Sequence, residues 1–297
     1  MKIRQELQTK ARNEGLAYRQ VLTLFAMERF LYRLSKSGVA DRFFLKGGML
    51  LLGMGAIPAR TTRDIDLLAR INRTPENIRK VFKSILATKL PAEDQVSFSP
   101  DFQVSEIMKD ALYSGVRVEL KANVAGETCD ISIDIGFSDE VYPEPALMEY
   151  PAMLEGLPVT QLLCYTRDSV VAEKWQAVVQ LGTFNSRMKD IYDLWFMARS
   201  YTFMYETLHE AIHRTFQRRG TSPELYTILK DASYANEQQP EWGAFVAKLK
   251  AAAFHRKMKE SIPPKDLLVV LSDILTWLEP VMESSGGSRW VPGKGWK

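Results

Sequence analysis

Cysteine and histidine are scarce in this 297-residue sequence, with two of the first and three of the second. Cys129 and Cys164 form no Cys-x-x-Cys pair, which excludes a disulfide framework and a thiolate zinc site and points to a reducing cytoplasm. Long apolar runs are missing as well. No stretch reaches the ~18 residues of a membrane helix, and residues 1–13 are charged, so neither a membrane span nor a signal peptide is expected. Low-complexity tracts and internal repeats are absent. The 46% hydrophobic and 25% charged content is that of an ordinary soluble protein, long enough for two domains. A strong excess of charge is also lacking: a net +3 does not by itself mark a nucleic-acid binder. Two basic groups stand out locally. One is Lys248, Lys250, Arg256, Lys257 and Lys259, in a stretch without an acid, and the other is Arg214, Arg218 and Arg219. Such groups either neutralise phosphates or are solvated helix faces.

Apolar residues recur at helical spacing over 19–37, and Gly38 ends that run. Residues 43–45 and 65–68 read as short strands, with a buried helix at 49–54 between them. A helix is expected over 75–90, with Pro75 at a tolerated first-turn position. From 98 to 135 the pattern alternates as strands do. After a proline-rich link at 142–158 the chain reads as helical. The first helix starts from a cap at Thr166 or Asp168 and runs to 181, followed by helices at 188–198, 204–218, 242–259 and 266–282. Residues 284–297 read as a flexible tail. The expected division is therefore a core with N-terminal helices at 1–158, a helical domain at 159–283 and the tail.

The chemistry is concentrated in Lys46-Gly47-Gly48 and in Arg60-Thr61-Thr62-Arg63-Asp64-Ile65-Asp66-Leu67. On a strand, positions i and i+2 share a face, so Asp64 and Asp66 project together while Ile65 and Leu67 turn into the core. Two adjacent carboxylates are hard ligands suited to Mg²⁺ (or Mn²⁺) when triphosphate oxygens and water complete the shell. Glycines without Cβ let the backbone approach a phosphate and offer its N–H groups. In Cys129-Asp130-Ile131-Ser132-Ile133-Asp134-Ile135 the isoleucines share one face and the polar residues the other. An apolar Ile-Asp-Ile is a costly place for an unpaired carboxylate, which makes Asp134 the candidate third ligand, with Asp130 as the alternative. A competing pattern is His209-Glu210-Ala211-Ile212-His213, which matches the H-E-x-x-H zinc-peptidase signature, with Glu224 as a conceivable third ligand. Solvated helix histidines are the plainer reading.

In order along the chain, several segments resemble the AbiEii/AbiGii abortive-infection toxin family, a branch of the DNA polymerase β-like nucleotidyltransferases. They are residues 26–34, Phe44-Leu45-Lys46-Gly47-Gly48, residues 60–67, Ile133-Asp134-Ile135-Gly136, Val171-Ala172-Glu173-Lys174-Trp175, and residues 187–194. Many nucleotidyltransferases have Gly-Ser at the glycine pair; Gly48 here keeps the backbone donors and loses one hydroxyl. The resemblance implies an α+β fold: a polymerase β-like core, with a mixed sheet flanked by helices, and a helical C-terminal domain. It implies transfer of a nucleoside monophosphate from an NTP to an acceptor hydroxyl, with Asp64, Asp66 and Asp134 holding metal. Gly47 and Gly48 would cradle phosphates, and Lys174 or Lys189 would offset triphosphate charge. Lys46, Thr62, Arg63, Asp190 and Asp193 would complete the nucleotide site, the last two also able to orient Lys174. The implied partners are an RNA acceptor such as a tRNA 3′ end and a cognate antitoxin, in a phage-defence setting. A non-catalytic relative that binds RNA or a partner is the alternative.

Overall fold

The structure is a computed structural model. It describes residues 2–56, 62–90, 94–109, 113–137, 141–182, 187–253 and 262–297. Arg60 and Thr61, and Arg256, Lys257 and Lys259 of the first basic group, lie outside the described residues. The chain forms two compact units: Met1–Glu140 with Pro145–Tyr165, and Val141–Glu144 with Thr166–Lys297.

In the first unit, α1 (Lys2–Glu14) and α2 (Tyr18–Lys36) precede β1 (Phe43–Lys46), α3 (Gly47–Gly53), β2 (Asp64–Ala69) and α4 (Pro75–Leu86). Six strands follow: β3 (Val96–Phe98), β4 (Gln103–Lys109), β5 (Tyr113–Val124), β6 (Glu127–Phe137), β7 (Ala146–Tyr150) and β8 (Thr160–Cys164). They make an eight-stranded mixed sheet in the order β3-β5-β6-β2-β1-β8-β7, with β4 also on β5. The pairs β2/β6 and β1/β8 are parallel.

One face of this sheet is apolar because the alternation demands it. Ile65 and Leu67 stand level with Ile133 and Ile135, and these with Val118 and Val116; all are buried. Helix α2 covers β5, β6 and β8, and α4 packs beside it. Phe30 of α2 stacks on Phe82 of α4 at 5.8 Å, and Phe82 meets Phe43 of β1 edge-on at 6.5 Å. The 26–34 motif is thus core. Its three buried charged residues have partners: Glu28 pairs with Arg29 and accepts from the Met153 N–H at 3.1 Å, while Arg33 forks onto Asp94 at 2.9 and 3.0 Å. Burial lowers the Arg29 pKa to about 10.

The second unit is helical: α5 (Arg167–Leu181), α6 (Met188–Ser200), α7 (Tyr205–Arg218), α8 (Ala232–Ala253) and α9 (Leu267–Met282). Trp175, Trp242 and Trp277 are fully buried in it. Thr166, rather than Asp168, caps α5 by accepting from the Ser169 N–H at 3.3 Å. A small sheet joins β9 (Phe203–Met204), β10 (Arg289–Val291) and β11 (Gly295–Trp296). No helix among the described residues is long and apolar enough to cross a membrane.

The charged N-terminus forms α1, burying Ile3, Leu7 and Ala11. Three features differ from the sequence reading. The proline-rich link holds β7, and the first unit runs on through β8 to Tyr165 rather than yielding to helices at 159. Helix α8 starts ten residues earlier than expected and passes through Pro240. The neighbouring Gln239 amide links it to the start of α9, donating to Lys265 O and accepting from Leu267 N–H, each at 2.9 Å. Finally, the expected flexible tail carries β10 and β11, because its tryptophans have partners: Trp290 Nε1 donates to Ala198 O at 2.7 Å and Trp296 Nε1 to Trp277 O at 2.9 Å. Its Pro292-Gly293-Lys294 is the turn between the two strands.

Candidate active site

The site begins where β1 turns directly into α3. Gly47 has φ +64°, a left-handed conformation that a side chain resists. A Cβ built there would meet the Asp66 side chain, 2.6 Å from Cγ and 2.7 Å from Cβ. The missing side chain at 47 is therefore the space in which Asp66 sits. Gly48, Met49, Leu50 and Leu51 follow as the buried body of α3.

Strand register then gathers charged residues on the face opposite α2. Lys46 of β1 lies level with Asp66 of β2, Asp66 with Asp134 of β6, and Asp134 with Arg117 of β5. Side chains at level positions of neighbouring strands share a face. One cross-strand row therefore reads cation, carboxylate, carboxylate, cation. Asp64 stands one step along the same face, level with Ser132. The alternative third carboxylate, Asp130, is exposed, four residues before Asp134 and level with Lys121.

Arg117 is the member of this row that sequence reasoning missed. Its Nε donates to Asp134 Oδ1 at 2.7 Å and its Nη2 to Oδ2 at 2.9 Å, a two-pronged pair. The Asp134 side chain is 1% exposed and that of Arg117 is 38% exposed. Hydrogen bonding to Asp134, with the charges of Asp134 and Asp64, raises the Arg117 pKa. In sequence Arg117 is one polar position of an alternating strand; only the β5/β6 register shows its partner. At the other end of the row, Lys46 Nζ lies over the Tyr165 ring, 5.2 Å from its centre.

In the second unit, Lys174 of α5 is 12% exposed and lies between two carboxylates of α6, 2.6 Å from Asp190 Oδ1 and 2.6 Å from Asp193 Oδ2. Asp193 is fully buried, at 0% exposure. The solvated-lysine reading fails here, since three charges share a nearly closed space. Arg187 approaches Asp190 Oδ2 at 3.9 Å, and Lys189 is exposed. In the first unit Thr62 is buried and Arg63 exposed just ahead of β2.

Two other groups do not serve the phosphate-binding and zinc readings offered for them. The arginines at 214, 218 and 219 are matched by acids: Arg214 with Glu210 at 2.6 Å, Arg218 and Arg219 with Glu173 at 3.8 and 3.4 Å. This leaves the group poorly suited to gathering phosphates. In the H-E-x-x-H segment on α7, the same ion pair occupies Glu210, and His209 and His213 stack at 6.3 Å. Glu224 is exposed on a separate 3-10 segment, Pro223–Lys230, and among the described residues no three ligating side chains converge there.

Asp64, Asp66 and Asp134, at adjacent positions of parallel strands, are in kind and placement the hard-oxygen set that Mg²⁺ or Mn²⁺ takes. As the side chains stand, the described residues contain no group of three positioned to hold an ion, and both Asp134 oxygens face Arg117. The donor set fits the ion in kind, and within it Asp134 is paired with Arg117.

The model of the family described as nucleotidyl transferase AbiEii toxin, type IV toxin–antitoxin system, matches residues 29–264. Two solved structures from Helicobacter pylori are similar: JHP933, 14% identical over 91% of this chain and 94% of its own, and a protein described as a nucleotidyltransferase candidate, 13% identical over 91% and 97%, each with a TM-score of 0.48. No curated protein sequence matches.

Proposed function

The chain belongs to the AbiEii nucleotidyltransferase toxin family of type IV toxin–antitoxin systems, and on that premise we propose that it transfers a nucleoside monophosphate from an NTP to an acceptor hydroxyl and releases pyrophosphate. The observation that carries this reading is the paired position of Asp66 and Asp134, with Asp64 beside them and Gly47 making room. Asp64 and Asp66 would hold the ion that neutralises the triphosphate, and Asp134 would help to hold a second. When bound, Mg²⁺ or Mn²⁺ supplies neutralising charge on the phosphates and a lowered pKa for the attacking hydroxyl. The Gly47 and Gly48 backbone donors meet phosphate oxygens, and Asp134 takes the hydroxyl proton. Lys174, fixed by Asp190 and Asp193, is assigned to triphosphate charge. Lys46, Thr62, Arg63 and Lys189 are assigned as further nucleotide contacts.

The acceptor proposed is RNA, such as a tRNA 3′ end, and the setting a cytoplasmic toxin opposed by its antitoxin in phage defence. A purely binding relative would have no use for three carboxylates on adjacent strand positions. Incubation of the protein with each labelled NTP, Mg²⁺ and total RNA tests the proposal. Label in RNA from one or more NTPs supports it. No label in RNA or protein from any NTP removes it.

A further inference from the structure

Arg117 gives the site a feature that the proposed chemistry leaves unexplained. It clasps both oxygens of Asp134, the carboxylate assigned to metal. A divalent ion using the same carboxylate would lie within a few ångströms of a guanidinium, and like charges at that distance repel strongly away from bulk water. One of the two must yield. The Asp134 side chain is 1% exposed and held within the sheet, whereas Arg117, 38% exposed, is the partner that water reaches. At the far end of the same row Lys46 supplies the second cation, level with Asp66. The two carboxylates are thus bracketed by positive charge. A guanidinium that leaves a carboxylate is free to take another anion, and its planar fork suits phosphate oxygens as well as it suits a carboxylate.

We propose that Arg117 is an exchange cation: it competes with a divalent ion for Asp134, yields that carboxylate to the incoming ion, and passes to the phosphates of the nucleotide that arrives with it. This rests on the metal-site reading above. It predicts a pair of opposite effects that a merely structural arginine would not produce. Without nucleotide, Arg117→Gln binds Mn²⁺ about tenfold more tightly, since a competitor is gone; with Mn²⁺ saturating, it binds a non-hydrolysable NTP analogue about tenfold more weakly, since a phosphate contact is gone.

Electron paramagnetic resonance of free Mn²⁺, followed by calorimetric titration with the analogue, measures both steps on the full-length protein. Melting curves confirm the fold. Arg117→Lys, which keeps the charge without the fork, falls between wild type and Gln at both steps and serves alone if the Gln variant does not fold. Unchanged or weaker Mn²⁺ binding in the variants makes Arg117 a support for Asp134 and overturns the exchange; unchanged analogue binding overturns it equally. If the folded wild type takes up no Mn²⁺ with or without the analogue, the metal-site reading itself is lost. Mn²⁺ binding that Asp66→Asn abolishes keeps that reading whatever Arg117 does.

Discussion

Gly47→Ala is a small perturbation with a large expected effect. The added methyl meets two separate costs. Holding alanine in a left-handed conformation costs about 1–2 kcal/mol, and forcing a methyl into filled space costs about 1–3 kcal/mol more. The second cost is not relieved by turning the Asp66 carboxylate away. Asp66 Cβ itself would lie 2.7 Å from the new methyl, and the β2 backbone fixes that atom. Either α3 moves off β2 or Gly47 leaves its conformation, and both displace a carboxylate of the row. The sum, about 2–5 kcal/mol, corresponds to a melting temperature lower by on the order of 10 °C for a unit of this size. Gly38→Ala is the control, because nothing lies within 4 Å of a Cβ there. It should change stability by less than about 0.5 kcal/mol. Thermal melts of the three proteins, with Mn²⁺ titrations on those that fold, make the comparison. A Gly47→Ala protein that melts with wild type and binds Mn²⁺ equally well would refute the close approach of Gly47 to Asp66.

Lys174→Ala should lose nucleotide transfer by about 30- to 1000-fold and also destabilise the helical unit by about 3–5 kcal/mol, because it takes from the buried Asp193 the cation 2.6 Å away. Adding Asp193→Asn should restore stability in denaturant titrations; if it restores activity too, Lys174 has only a structural role. Reversal of Lys248, Lys250, Arg256, Lys257 and Lys259 to Glu should weaken RNA binding and flatten its salt dependence while leaving NTP binding intact. Equal affinity and equal salt slope would make the stretch a solvated face. Burial pushes the Cys164 thiol up to about 12. It should therefore resist iodoacetamide at pH 8 in the native protein and react on unfolding, as peptide mass mapping would show.

The parts of this structure that were legible in the sequence are those with local signals. Asp64-Ile65-Asp66-Leu67 declares its own two faces, and the short strands and buried helix around the glycine pair follow from their apolar runs. Long-range pairing was not local. The choice between Asp130 and Asp134 depends on which lies level with Asp66, a fact of the β2/β6 register and not of spacing. Arg117 looked like any polar position in an alternating strand until β5 was set beside β6. Helix α8 was half hidden, because Asn236-Glu237-Gln238-Gln239-Pro240 has the composition of a loop and is held as helix by tertiary partners of Gln239 and Trp242. The tail misled in the same way: glycine and serine suggested mobility, while Trp290 and Trp296 had acceptors waiting in distant segments.

The central claim is that the carboxylate row performs nucleotidyl transfer. The most direct test measures pyrophosphate released and label gained by RNA in one reaction, for wild type, Asp64→Asn and Asp66→Asn. An amide keeps the volume of each side chain and removes the charge a divalent ion needs. The account predicts equal amounts of pyrophosphate and incorporated nucleotide from wild type in the presence of Mg²⁺, and neither from the two folded variants. Full transfer by either variant would contradict it.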